Sequence, residues 1–290
     1  MKRGLLFALL ATLFWGAQPL AIGVVIQKIP PATLSFYKII SAAVVLTIIL
    51  FQQDNFPNYK SRGPRALLFL FLCALAMATS FVLYSTSYLY ISAVNTQFYL
   101  QLSRILLALA GIFIFHETFK KIHWFGLILV CFGFWWFFQD QSGRSASTRG
   151  YGIGALLMIL ASVAWAKFAI FQKILLKSFS PLQILAFIYL VSTLLLLPFA
   201  VFNSLTTLTG AEWLALGFIC LSNLGAYAFF SEALKFWDAS RVGIVSCLTP
   251  VITLVLSLLT LKPEHLGLYG VAGGSLIIAG SILVSLPVQR

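Results

Sequence analysis

Residues 5–25 read LLFALLATLFWGAQPLAIGVV, twenty-one positions without a charged side chain. A helix rising about 1.5 Å per residue needs ~20 such residues to cross ~30 Å of hydrocarbon. Met1-Lys2-Arg3 before the run resembles the start of a secretory signal, but the apolar stretch continues past Pro19 to Val25, longer than a usual signal core. It is expected to stay as a first membrane span. Nine further apolar runs follow, at about 33–51, 66–88, 94–115, 123–139, 151–172, 182–202, 212–235, 241–261 and 267–286. Lipid offers backbone amides no partner, and runs of this length without alternation favour helices over barrel strands.

Composition agrees. With 61% hydrophobic and 9% charged residues and a mean hydropathy of +1.00, there is too little polar side chain to coat a water-exposed surface. The longest polar connections are Gln52 to Arg65 and Asp140 to Arg149, which leaves no room for a soluble domain. The net charge of +12 is explained by topology. Twelve of the nineteen Lys and Arg fall on the face that holds both termini. Four (Lys28, Arg144, Arg149, Lys262) fall on the other, and Lys38, Arg104 and Lys167 lie inside spans. By the positive-inside rule both termini are cytoplasmic. Nucleic acid is not needed to account for the charge, because no dense basic tract is interleaved with aromatics.

The first run also has an echo. Phe14-Trp15-Gly16-Ala17 recurs as Ala164-Trp165-Ala166-Lys167, and Pro31 as Pro181, both at an offset of 150. Further on, Glu117 falls on Glu264, Gly126 on Gly273 and Gly133 on Gly280 at 147, and Ala93 falls on Ala239 at 146. Several matches in order over two equal halves define an internal repeat. The expected division is 1–140 and 150–290, joined by a linker at 141–149. Five spans per half is an odd number, so the second half enters the bilayer from the opposite face. The fold class expected is therefore all-α, a polytopic membrane protein of ten transmembrane helices arranged as two inverted five-helix repeats. Inverted repeats place a central site at their interface and let it face either side.

Trp15-Gly16, the span closing in His116-Glu117 before Trp124-Phe125-Gly126 and Gly133, and the second-half Ala239-Ser240, Thr249-Pro250 and Pro263-Glu264 carry a family resemblance. Together they resemble the paired EamA domains of the drug/metabolite transporter superfamily, over almost the whole chain. That resemblance implies a ten-helix carrier with a central cavity, moving amino acids or related metabolites, frequently outward, across a bacterial inner membrane. The chain departs from the family at Arg104, where the proline seen here at Pro250 is common, and at Ala166 and Pro263, where glycine is usual.

Arg104 is the residue that most demands a role, because arginine at a span's centre costs ~2.5–3.5 kcal/mol even on a lenient insertion scale. Gln97, Gln101 and Arg104 follow i, i+4, i+7 spacing and should form one polar face. Lys38, early in the second run, either lines the same cavity or snorkels outward. Ser80, Tyr84 and Ser87 make a polar stripe in the third run, and Asn223, Tyr227 and Ser231 make another in the eighth. Trp15 is a further wall candidate, and Tyr88 and Tyr90 read as an interfacial belt. Pro19 with Gly16, and Pro250, could kink their helices and act as hinges. Lys167 and Glu232 could pair, and Glu117 and Glu264 should fix the turns into the helices that follow them.

Other chemistry finds little support. Cys73, Cys131, Cys220 and Cys247 stand singly, and His116, His123 and His265 are scattered, so no cofactor or metal is expected. The GxxxxGK[ST], HExxH and GxSxG patterns do not occur. An enzyme acting on lipid-linked substrates would want paired acids or a histidine cluster, and the seven Asp and Glu are dispersed. A non-transporting assembly or receptor subunit would have no use for a central arginine. A monomeric, bilayer-embedded carrier for a small solute is the reading that uses these residues.

Overall fold

The computed structural model describes residues 2–55, 57, 59–145, 150–258 and 267–286; Lys262, Pro263, Glu264 and His265, noted above, lie outside them. Among the described residues all regular structure is helical. The first half comprises α1 (Lys2–Val25), α2 (Pro31–Gln52), α3 (Pro64–Ser87), α4 (Ala93–Phe113) and α5 (Lys121–Ser145). The second comprises α6 (Tyr151–Leu175), α7 (Pro181–Leu196), α8 (Gly210–Phe236), α9 (Ala239–Ser246), α10 (Thr249–Ser257) and α11 (Leu268–Ser285). Counting α9 and α10 as one, eight of these are long and apolar enough to span a bilayer, and α5 and α11 contribute shorter apolar stretches, Lys121–Trp136 and Leu268–Val284.

Local sequence explains where the helices begin. Pro31, Pro64 and Pro181 sit in first turns, where the missing N–H has no intrahelical partner to lose. Ser180 with Gln183 and Thr209 with Glu212 close reciprocal capping boxes at the starts of α7 and α8. The starts keep the repeat's spacing: Pro31 and Pro181 are 150 apart, and Ala93 and Ala239 are 146 apart.

Packing repeats as well. α1 lies on α8 as α3 lies on α6, α4 touches α6 as α10 touches α1, and α3 meets α7 as α2 meets α8. The remaining major pairs, α2 with α7, α4 with α9 and α5 with α11, each join an element to its own counterpart. Exchanging the halves leaves this pattern unchanged, which is a pseudo-two-fold, and five spans per half put its axis in the membrane plane. Loop contacts obey the same parity. On one face Lys28 pairs with Glu212 at 2.8 Å and the Gly267 amide donates to Asp140 at 2.9 Å. On the other, Tyr59 donates to the Gln183 carbonyl at 2.8 Å, and burial pushes its hydroxyl up to about 12, so it stays a neutral donor.

The seam between α5 and α11 is made by glycine. A Cβ on Gly126 would lie 2.8 Å from the Gly280 carbonyl oxygen, and one on Gly133 would lie 2.7 Å from that of Gly273. Glycine permits backbone-to-backbone approach, the close packing that holds helices together where lipid supplies no hydrophobic drive between them. Large side chains face outward instead, among them Leu6, Leu9 and Leu13 of α1 and Phe125, Ile128 and Trp135 of α5. Such a continuous apolar exterior suits acyl chains and not water.

Several expectations are corrected. The run 241–261 is not one kinked helix: it breaks between Ser246 and Thr249, just before Pro250. Pro250 cannot donate to the Ser246 carbonyl, and the Thr249 hydroxyl bonds that oxygen instead, at 2.6 Å. α1 by contrast passes through Pro19 without interruption. α5 extends to Ser145, so part of the expected linker is helical. Lys167 is exposed, and no salt bridge joins it to Glu232 among the described residues. Glu117 does more than end its own turn: its carboxylate accepts from the amides of Ala239 and Ser240 at 2.7 and 2.8 Å, capping α9 of the other half. Its counterpart Glu264 lies outside the described residues.

Candidate functional site

The bundle core holds three apolar clusters, one of them at the junction of α4, α5, α9, α10 and α11, and the other two flank the centre. Of these two, one, built on Ile22, Ile26, Ile29, Ile91 and Ile219, closes the face that carries the α1–α2 turn. The larger, built on residues such as Ala11, Met77, Phe168 and Phe230, fills the opposite half. Between them lies a narrow hollow of about 30 Å³.

Arg104 reaches this hollow from the middle of α4 and is 1% exposed. Its guanidinium stands 5.0 Å from the ring centres of both Trp15 and Trp165, which meet each other edge-on at 5.6 Å. These tryptophans are the repeat-related pair, so the cation sits where the two halves' matching rings converge. Nη1 donates to the Leu100 carbonyl at 3.3 Å and the Ser103 hydroxyl at 3.4 Å, and Nε has no protein partner. Lys38 is also 1% exposed and lines the same hollow, with Nζ 4.5 Å from the Phe81 ring and 5.5 Å from that of Tyr84. It turns inward and does not snorkel. Among the described residues no carboxylate forms a salt bridge with either cation. Each buried ion without a partner costs on the order of several kcal/mol, and aromatic faces return a part of that, about 2 kcal/mol at desolvated sites.

The rest of the wall is polar but largely self-satisfied. Gln97 donates to the Tyr84 hydroxyl at 2.8 Å, which is itself 2.6 Å from the Tyr88 hydroxyl. Trp165 donates to the Tyr227 hydroxyl at 2.9 Å, and Ser80 to the Ala161 carbonyl at 2.9 Å. Gln18 donates to Ser222 at 3.0 Å and to the Ile219 carbonyl at 3.2 Å. Among the described residues the Gln97 side-chain oxygen is buried without a partner, and neither cation has a carboxylate counterion.

Of the residues singled out from sequence, Trp15, Lys38, Ser80, Tyr84, Gln97, Arg104 and Tyr227 all line this hollow. Gln101 does not. Its amide folds back onto the Gln97 carbonyl at 2.8 Å, and it borders a separate groove with Cys131 and Phe134, while the edge of α4 that meets the hollow is Gln97, Leu100 and Arg104. Asn223 stands behind the wall, donating to the Lys38 carbonyl at 3.1 Å and the Tyr189 hydroxyl at 3.5 Å. Tyr88 is buried against Tyr84 and is no belt residue. Gln18, Phe81, Leu100 and Trp165 line the hollow unforeseen. Two left a trace: Gln18 is three residues from Trp15 on one helix face, and Trp165 is the repeat mate of Trp15. Phe81 and Leu100 are apolar residues in apolar runs and leave none.

The expected hinge residues come together beside the hollow. A Cβ on Gly16 would lie 2.5 Å from the Ile252 side chain and 3.3 Å from the Thr249 carbonyl, and the Thr253 hydroxyl donates to the Gly16 carbonyl at 2.8 Å. α1 therefore presses on α10 immediately after the break that precedes Pro250.

The model of the EamA-like transporter family matches twice, over residues 2–139 and 152–286. The chain is similar to a Haemophilus influenzae protein described as an uncharacterized transporter, 30% identical over 254 residues, covering 88% of this chain and 83% of that protein. It is equally similar to the uncharacterized inner membrane transporter YhbE of Escherichia coli, 30% identical over 288 residues, covering 96% and 90%. A solved crystal structure superposes with a TM-score of 0.76 over 98% of this chain and 97% of that one, at 16% identity, which speaks to the fold alone. This is a multi-pass membrane transporter, and the chain belongs to the EamA-like transporter family.

Proposed function

We propose that the protein is a secondary carrier that exports a small metabolite bearing an anionic group, an amino acid or related compound, across a bacterial inner membrane by alternating access, with both termini in the cytoplasm. The observation that carries this reading is Arg104: nearly inaccessible, flanked by two tryptophans from opposite halves, and without a carboxylate partner among the described residues. A planar guanidinium is suited to grip a carboxylate at two points, and an ion that lacks a protein counterion is best neutralised by cargo. The pseudo-two-fold packing supports two mirror-related arrangements around this hollow, and the broken α9–α10 segment supplies a place to bend. The charge bias of the loops supports the orientation.

The test is counterflow in proteoliposomes with a panel of amino acids and related acids. Wild type should accumulate at least one of them. Arg104→Ala should lose about a hundredfold in apparent affinity, the scale of removing one partner of a desolvated charged contact, and Arg104→Lys should lose less. Normal transport by well-folded Arg104→Ala would overturn the anion contact.

A further inference from the structure

Resting on the carrier reading, a second feature of the hollow narrows its cargo. The wall carries two buried cations, both from the first half, and among the described residues no acidic side chain lines it. The hydroxyls of Tyr84 and Tyr227 and the side-chain nitrogen of Gln18 are engaged with protein partners. Fully buried and without one among the described residues are the Arg104 Nε donor and the Gln97 Oε1 acceptor; Lys38 Nζ rests on the rings of Phe81 and Tyr84 and forms no salt bridge with a described carboxylate. A monoanion at Arg104 would leave Lys38 buried and uncompensated in the closed state, an unfavourable arrangement in a low dielectric. Arg104 lies over tryptophan faces and Lys38 over a phenylalanine face, and aromatic walls of this kind suit a short carbon frame.

We infer that the cargo is a small solute with two negatively charged groups, one for Arg104 and one for Lys38, and with an N–H or O–H that the Gln97 side-chain oxygen accepts. The hollow recognises the class of short dicarboxylates with an amino or hydroxyl substituent. A neutral amide in place of either acid group presents one charge too few.

Matched pairs test this: glutamate against glutamine, aspartate against asparagine, and succinate against succinamate, each competing for counterflow and each assayed for thermal stabilisation of the detergent-solubilised full chain. In wild type at least one acid should outcompete its amide by about tenfold or more. Lys38→Gln should bring that ratio close to one, and Lys38→Arg should keep it. Amides that match or beat their acids in wild type would overturn the inference, as would a Lys38→Gln protein that keeps the preference. Accumulation of neutral solutes alone would sink the dianion and leave the carrier standing. If no solute is moved or stabilises the protein, both fall.

Discussion

α4 and the α9–α10 pair are repeat counterparts, and they have come to do different work. α4 runs unbroken from Ala93 to Phe113 and brings Arg104 to the hollow; its counterpart stops at Ser246, resumes at Thr249, and brings no charge there. α4 is capped by its own neighbour, Ser92, whose hydroxyl accepts from the Asn95 amide at 3.3 Å. α9 is capped from across the molecule by Glu117. The two copies share a place in the architecture, and a few side chains set them apart: one carries the buried arginine, the other the helix break. Only the architecture has to be symmetric for a carrier of this kind.

This contrast can be attacked where the copies touch. Gly243 of α9 faces the α4 backbone, where a Cβ would lie 2.8 Å from the Arg104 carbonyl oxygen and 3.3 Å from the Ala108 amide nitrogen. Gly243→Leu should therefore displace α9 from the arginine-bearing helix and cost about 2–3 kcal/mol, read as a large loss of thermal stability in detergent. An unchanged melting temperature would mean that the two helices are free to separate. Glu117→Gln keeps one acceptor for the α9 amides but loses the charge at the helix N-terminus. It should cost about 1 kcal/mol and loosen the face on which the halves are tied, seen as faster amide hydrogen exchange at residues 239–243 with little change at 93–97. Equal acceleration in both helices would erase the distinction between local and remote capping. The smallest effect is expected of Thr249→Val, which leaves the Ser246 carbonyl without its hydroxyl partner at the break. A loss of under about 1 kcal/mol is expected, with exchange rising around 247–250 and none at the same depth of α4.

Much of this was legible in the sequence because the membrane imposes strict terms. Span length, the offset between Pro31 and Pro181, and the expense of an arginine in mid-span are all local or periodic signals, and each found its counterpart in the structure. The lining of the hollow was readable in part where a polar residue interrupted an apolar run, as at Lys38, Ser80 and Gln97, but the same signal passed over Gln18 and pointed to Gln101 and Asn223, which lie off the hollow. It was not readable where an apolar residue faces inward, as Phe81 and Leu100 do, because in lipid both sides of a helix are apolar and hydrophobicity no longer marks the interior. Side-chain partnerships across forty or more residues, such as Tyr59 with Gln183 or Glu117 with Ala239, have no periodic signature at all.

The glycine seam of α5 and α11 has an evolutionary corollary. Gly126 meets the backbone of Gly280 and Gly133 that of Gly273, and a backbone carbonyl cannot shrink to make way for bulk gained opposite it. Ordinary contacts drift by exchange, one partner enlarging as its neighbour retreats. Across a backbone-to-backbone contact that exchange is closed, and the four positions should stay frozen together in lineages whose cargo has long since diverged.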